Sequence, residues 1–263
     1  MAQLSSSPPS SPAGPDGPLP ELSIVIPVKN EEETVLALAA EIDQVLGSCT
    51  QRCEVLWVDD GSTDKTVARL ATLGPAHRIV SLDRNYGQSA ALFAGFLHAR
   101  GTWVGTLDGD GQNDPADLLR QLAHVQANGL DMCNGIRAKR QDSWLRKVSS
   151  RIGNGFRNWI TREDQVRDVG CSTRVIRRQL LLELPFFHGA HRFLPTLIRM
   201  RGGRFDQIPV NHRPRSAGTS KYGVWNRLWS GLRDCFGVRW LQDRNRRWQS
   251  TEVSRADTQA VDA

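Results

Sequence analysis

Apolar runs of strand length recur along the first half of the chain, each separated from the next by an amphipathic stretch. "LSIVIPV" (22–28), "CEVLWVDD" (53–60), "HRIVSLD" (77–83), "TWVGTLDGD" (102–110) and "LDMCNG" (130–135) are such runs. Between them lie "NEEETVLALAAEIDQVLG", "STDKTVARLATLG", "GQSAALFAGFLHARG" and "DPADLLRQLAHVQANG", with apolar residues at helical spacing. The first helix opens on acids and closes at Gly47, the second opens on a Ser/Thr/Asp cap, and the fourth has Pro115 near its start. This alternation predicts an α/β domain whose mostly parallel sheet is covered by helices on both faces.

The pattern changes after Gly135. "IRAKRQDSWLRKVSSRIGNGFRNWI" reads as a basic loop that continues as an Arg-rich helix, and "RFDQIPVNHRPR" as a strand returning to the sheet. "SAGTSKYG" is a loop of small residues, and "VWNRLWSGLRDCFGVRWL" a further helix. On that helix Trp225, Leu228, Trp229, Leu232, Phe236 and Trp240 share one stripe, with Arg227, Arg233 and Asp234 off it. An apolar, Trp-rich stripe with basic flanks suits a membrane interface, and packing on the domain or on a second subunit suits it equally. The expected organisation is a Ser/Pro/Gly-rich disordered tail (1–20), one domain (21–221), an amphipathic, membrane-interfacial helix (222–247) and a polar tail (248–263).

Composition narrows the class. With 39% hydrophobic and 24% charged residues the chain fits a soluble globular protein. Its start lacks the basic and apolar regions of a signal peptide, and no run approaches the roughly 18 apolar residues of a membrane span. Five scattered cysteines favour a reducing cytoplasm, and "CTQRC" (49–53) has no second pair to make a metal site. Charge is unevenly placed: residues 21–130 hold 8 Lys+Arg against 15 Asp+Glu, and residues 131–247 hold 25 against 9. An acidic first half and a basic second half point to a cation site followed by a surface for phosphates or anionic lipid.

In open α/β sheets ligands bind at the carboxyl ends of the strands. Here those ends are polar: Asn30 and Glu31, Asp59 and Asp60, Asp83 to Asn85, Asp108 and Asp110, and Asn134 to Arg137. The densest is "TLDGDGQNDP" (106–115). An EF-hand loop would need Gly and Glu where Asn113 and Leu119 stand. An aspartyl-phosphate phosphatase would place its Asp on the first strand, followed by a hydroxyl residue after the second Asp. A solvated turn and a carboxylate pair holding a divalent cation on a diphosphate are left, and the other strand ends favour the cation. Asp114 fits a cap for the helix beginning at Pro115 better than a ligand.

"IVIPVKNEEETV", "EVLWVDDGSTDKT", "RNYGQSAALFAGF" and "TLDGDGQNDP" together resemble the family 2 glycosyltransferases of the GT-A fold. "DVGCSTRVIRR", "HRFLP" and "HRPRSAGTSKYG" are similar to the polyprenyl-phosphate sugar transferases among them, the dolichol-phosphate mannose synthase group. The likeness spans about residues 22–241. It implies a donor nucleotide site of Pro27, Asn30, Glu31, Asp59, Asp60, Arg84, Asn85, Gly87 and Asp108. It also implies Mg²⁺ or Mn²⁺ on Asp108, Asp110 and Gln112. Asp60 also suits a turn acid ahead of Ser62 and Thr63.

The resemblance further implies an acceptor phosphate held by Arg137, Arg146, Ser150, Arg213 and Lys221, with Arg215 nearby. Asp110, Arg137, Asp168 and Arg213 would be the catalytic set. Asp168 would orient sugar or acceptor, or act as base, and a structural salt bridge is an equal reading. Arg151, Arg157 and Arg162 read as solvated charges, and His188, His191 and His212 as residues of aromatic or Arg-rich motifs rather than a zinc set.

The implied activity is inverting transfer of a mannose- or glucose-type sugar from GDP- or UDP-sugar to a dolichyl or undecaprenyl phosphate. The protein would then be peripheral on the inner face of the membrane. Many bacterial members continue into two membrane-spanning helices, whereas this chain stops soon after "FGVRWLQDRNRR". A non-lipid acceptor is the alternative within the family. A basic nucleic-acid-binding protein is the alternative outside it, and it leaves Asp108 to Gln112 unexplained. Oligomeric state is open.

Overall fold

The computed structural model of the chain describes residues 18–137, 155–163, 166–214 and 224–245, with side chains from residue 231 onward in the last span. The strands are β1 (Leu22–Val28), β2 (Cys53–Asp59), β3 (His77–Ser81), β4 (Trp103–Thr106), β5 (Met132–Arg137), β6 (Arg174–Arg177) and β7 (Phe205–Val210). The helices are α1 (Val35–Gly47), α2 (Thr66–Leu70), α3 (Gln88–His98), α4 (Ala116–Ala127), α5 (Arg178–Leu182), α6 (Leu194–Met200) and α7 (Val224–Arg244). A 3₁₀ turn covers Ala190–Phe193, and residues 155–161 are helical.

One sheet runs in the order β3-β2-β1-β4-β6-β5-β7. β3, β2, β1 and β4 are mutually parallel, as are β5 and β7. β6 lies antiparallel between β4 and β5, so the two parallel blocks meet through a reversed strand. The expected mostly parallel α/β sheet is therefore present, with β6 as an addition that the apolar pattern did not show.

Residue alternation on the central strands builds two cores. Val25, Leu56 and Val58 face one layer with Phe96 of α3 and Leu197 of α6, whereas Ile24, Ile26, Val55 and Trp57 face the other with α1 and α4. Trp57 and Phe96 are 0% and 1% exposed. Burial of each such side chain contributes about 1.5–3 kcal/mol. α7 packs on the first layer through Cys235 and Val238.

Several boundaries shift. α1 begins at Val35, so Glu31 to Glu33 precede it instead of filling its first turn. Asn30, with φ of 51°, turns the chain out of β1, and a turn closed on the Glu31 carbonyl by the Thr34 and Val35 N–H groups leads into the helix. α2 covers only Thr66–Leu70. Arg157 is corrected from solvated charge to buried residue, 7% exposed. Its guanidinium donates to Thr196 Oγ1 at 3.2 Å and lies over the Phe193 ring, because its helix packs against α6 and the 3₁₀ turn. Arg162 is exposed as expected, and Arg151 lies outside the described residues.

Candidate active site

The carboxyl ends of β1, β2 and β4 lie side by side, and their polar residues brace one another. Pro27 is tolerated in a central strand because its missing N–H faces β4 beyond that strand's paired segment, which stops at Val25↔Thr106. Asn30 Oδ1 accepts from the Thr63 N–H at 2.8 Å, and the Glu31 N–H donates to Thr66 Oγ1 at 2.9 Å. Asp59 accepts from the Ser62 N–H at 3.1 Å. Asp60, 5% exposed, takes the Tyr86 N–H on Oδ1 at 2.7 Å and the Gly87 N–H on Oδ2 at 2.9 Å. It thus clasps the loop that carries Arg84, Asn85 and Gly87, a partner different from the turn at Ser62. Gly87 has φ of 89° at the start of α3, and the Arg84 guanidinium lies over the Tyr86 ring.

The acidic loop follows β4. Thr34 Oγ1 donates to the Gly109 carbonyl at 3.0 Å, which ties this loop to the end of β1. Gln88 Nε2 donates to Asp108 Oδ1 at 2.8 Å. Burial and the neighbouring Asp110 carboxylate push the Asp108 carboxyl above its ordinary range, opposed by the Ser172 hydroxyl and the charges of Arg174 and Arg137. The Gln112 N–H donates to Asp110 Oδ1 at 3.2 Å. Its amide nitrogen is spent on the Arg213 carbonyl at 3.1 Å, which leaves the amide oxygen as the end suited to a cation. Asp114 Oδ1 accepts from the Ala116 N–H at 3.0 Å in the first turn of α4, so this acid serves the helix.

Two neighbouring half-buried carboxylates, with the Gln112 amide in the same loop, are a hard-oxygen donor set that fits Mg²⁺ or Mn²⁺. Among the described residues no group of three His, Cys, Asp or Glu forms a metal site. His191 Nδ1 instead lies 2.6 Å from Ser89 Oγ, and His212 pairs with Asn113 in an isolated antiparallel bridge.

On the basic side Arg137 and Asp168 form a bidentate pair, with Nε to Oδ2 and Nη2 to Oδ1 both at 2.8 Å. Asp168 is thus salt-bridged to Arg137. Arg213 is zipped to the acidic loop by its N–H to the Gln112 carbonyl at 2.8 Å. Its guanidinium turns to Glu41 at 2.7 Å and Asp114 at 3.4 Å, and the Glu41 bond raises its pKa. Arg146, Ser150 and Lys221 lie outside the described residues.

A cavity of about 380 Å³ opens beside Asp108 and is lined by Gln88, Ser172, Arg174, His191 and Arg192 among others. Arg174, absent from the sequence-derived site, is 3% exposed. It donates to Asn134 Oδ1 at 2.8 Å and to the carbonyls of His191 at 2.6 Å and Val169 at 3.0 Å. Burial lowers its pKa, while Cys171, Asp108 and Asp168 oppose that. The one signal available in advance was an arginine inside the short apolar run "TRVI", a placement that a buried strand permits only with several acceptors.

A family model for "Glycosyl transferase family 2" matches residues 23–184. The chain is 37% identical over 211 residues to a "Dodecaprenyl-phosphate galacturonate synthase" of Rhizobium johnstonii, covering 78% of this chain and 62% of that protein. It is 38% identical over 207 residues to an "Undecaprenyl-phosphate 4-deoxy-4-formamido-L-arabinose transferase" of Edwardsiella ictaluri, covering 77% and 63%. The chain thus spans less than two thirds of the length of these curated relatives. Among solved structures, glucosyl-3-phosphoglycerate synthase from Mycobacterium tuberculosis with Mn²⁺, UDP and glucosyl-3-phosphoglycerate superposes with a TM-score of 0.64 at 19% identity, covering 85% of this chain and 80% of that one. The same enzyme with Mg²⁺ and UDP gives 0.62 at 18%, covering 85% and 79%. These likenesses show the GT-A type of fold, and the family match, over well more than half the sequence, shows that this chain belongs to glycosyl transferase family 2.

Proposed function

We propose that the chain transfers a sugar from a nucleoside diphosphate donor to a polyprenyl phosphate, with inversion at the anomeric carbon. The observation that carries this reading is the meeting of two opposite charge sets on one rim. The Asp108–Gln112 loop is hydrogen-bonded to Arg213, and Arg137 and Arg174 stand close enough to Asp108 to act on its charge. The names of the relatives, two polyprenyl-phosphate sugar transferases, support the acceptor class.

The chain's own residues divide the work. Asp60 and Asp59 hold the loops that would flank the nucleoside. Asp108, Asp110 and Gln112 would hold Mg²⁺ or Mn²⁺. That ion, when bound, supplies positive charge to the leaving diphosphate. A phosphate monoester has its second pKa near ~6 and is largely dianionic at neutral pH, so its oxygen needs no strong base. Asp168 therefore acts by orienting Arg137 for that phosphate instead of removing a proton. Arg213 would exchange Glu41 and Asp114 for the same phosphate, assisted by Arg146, Ser150 and Lys221.

The lipid acceptor brings a membrane surface with it. Among the described residues no helix is long and apolar enough to cross a bilayer. Two helices instead present exposed aromatic pairs: Phe156 and Trp159 at 45% and 76%, and Phe236 and Trp240 at 57% and 60%. Gln242 Nε2 donates to the Thr161 carbonyl at 2.8 Å and joins the two helices. Aromatic side chains of this kind, with Arg233 and Arg244 beside them on α7, suit the headgroup layer.

The test supplies UDP- and GDP-sugars with polyprenyl phosphate and Mn²⁺, and reads free nucleoside diphosphate together with a glycosylated lipid. Turnover with at least one donor, lost in Asp110→Ala, is expected. No turnover with any donor, or full activity in Asp110→Ala, would overturn the reading.

A further inference from the structure

α7 does more than carry Phe236 and Trp240. Next to its buried residue Cys235, Asp234 sends its carboxylate to the backbone of Gly189, where a Cβ would lie 2.5 Å from Oδ2. Gly189 has φ of 94°, so both its conformation and this close approach require glycine. It begins the 3₁₀ turn Ala190–Phe193.

That turn is wired into the cavity. The Gly189 N–H donates to Ser89 Oγ at 2.9 Å, and Ser89 Oγ lies 2.6 Å from His191 Nδ1. The His191 carbonyl accepts from Arg174 at 2.6 Å. His191 and Arg192 then line the cavity that Asp108 and Gln88 also line. Burial raises the Asp234 carboxyl above its ordinary range, opposed by the charges of Arg192 and Arg233, and Arg192 belongs to the turn. A helix outside the residues matched by the family model thus sets a carboxylate against the turn that lines the cavity, beside the packing of Cys235 and Val238.

We propose that Asp234 is a positioning residue which holds the Gly189–Phe193 turn as the sugar-facing wall of the donor cavity. His191 and Arg192 on that wall meet the sugar, whereas the nucleoside lies toward Asp60 and Arg84. The inference rests on the donor-site reading above and extends it to a helix that otherwise reads as a membrane contact.

The test is binding, measured by calorimetry with Mn²⁺. The probes are UDP, GDP, UDP-glucose, UDP-galacturonate and GDP-mannose, followed with the tightest nucleotide sugar and its own nucleoside diphosphate. Asp234→Asn keeps the shape and removes the charge. It should weaken the nucleotide sugar about tenfold, about 1.4 kcal/mol, and leave the bare diphosphate within about twofold. Asp234→Glu should recover part of the loss. Arg192→Gln probes the same link without altering α7, and its loss should not multiply with that of Asp234→Asn in the double variant. Equal weakening of diphosphate and nucleotide sugar, no weakening, or multiplied losses would each overturn the inference. Wild-type protein that binds none of the probes would instead overturn the donor-site reading and this inference with it.

Discussion

Asp60 distinguishes a brace from a ligand. Both of its oxygens are occupied by backbone donors, the Tyr86 N–H at 2.7 Å and the Gly87 N–H at 2.9 Å, and its own N–H continues to the Val28 carbonyl at 2.9 Å. Hydrogen bonds to a charged acceptor contribute about 1.5–3 kcal/mol each. The loop they hold is largely exposed at Arg84 to Tyr86, so water recovers part of that when the carboxylate is removed. Asp60→Ala should then cost about 2–4 kcal/mol, and Asp60→Asn, which keeps one acceptor, about half as much. Urea unfolding gives the free energies, and amide exchange at Tyr86 and Gly87 gives the locus. Protection of those two amides should fall in both variants, with nucleotide affinity falling alongside. Were Asp60→Ala within about 0.5 kcal/mol of wild type and the amides equally protected while nucleotide binding collapsed, Asp60 would be a direct ligand and the reasoning wrong.

Other consequences are as testable. Gly95 of α3 lies on Val25 and Val58, and an added methyl would collide with Val25 Cγ1. Gly95→Ala should lose about 1–3 kcal/mol by thermal unfolding, with part recovered in the Gly95→Ala/Val25→Ala double variant. Against the cost of its own burial, the Thr66 hydroxyl and N–H hold the Asp64 carboxyl below its ordinary value. A depressed carboxyl stabilises above its unfolded pKa of about 3.9, and the contribution is lost as pH falls through the folded value. The stability gap between wild type and Asp64→Ala should therefore be full at neutral pH and close in acid. Flotation with anionic vesicles should recover wild-type protein and release Trp159→Ser/Trp240→Ser, and equal recovery would refute the membrane face.

The acidic half was legible because its strands lie in apolar-rich runs with polar ends, separated by stretches of helical spacing. β6 was not, because Arg174–Arg177 is a four-residue strand whose first and last residues are charged. Its pairing with β4 and β5 is decided by tertiary contact. Asp108, Asp110 and Gln112 were found from type and spacing, and they do share one loop. What spacing could not supply was direction. Arg213 turns to Glu41 in the middle of α1, and Asp60 turns to a loop some 25 residues later. Arg157 looked like any surface arginine because the residue that receives it, Thr196, is far along the chain. Asp234 was read as the polar side of a stripe, and its approach to Gly189 exists only once α7 is seated.

The reversed strand also governs the order in which the protein can assemble. β5 has only β6 and β7 as neighbours, so a nascent chain that ends at Arg137 holds a finished β5 with nothing to pair. The same chain leaves β4 with one open edge. At synthesis rates of about 5–20 residues per second, β6 follows some 40 residues and a few seconds later. The carboxylates after β4 are thus translated well before the strand that fixes their surroundings. A cut at Arg137 would therefore leave β5 on one fragment and both of its sheet neighbours, β6 and β7, on the other.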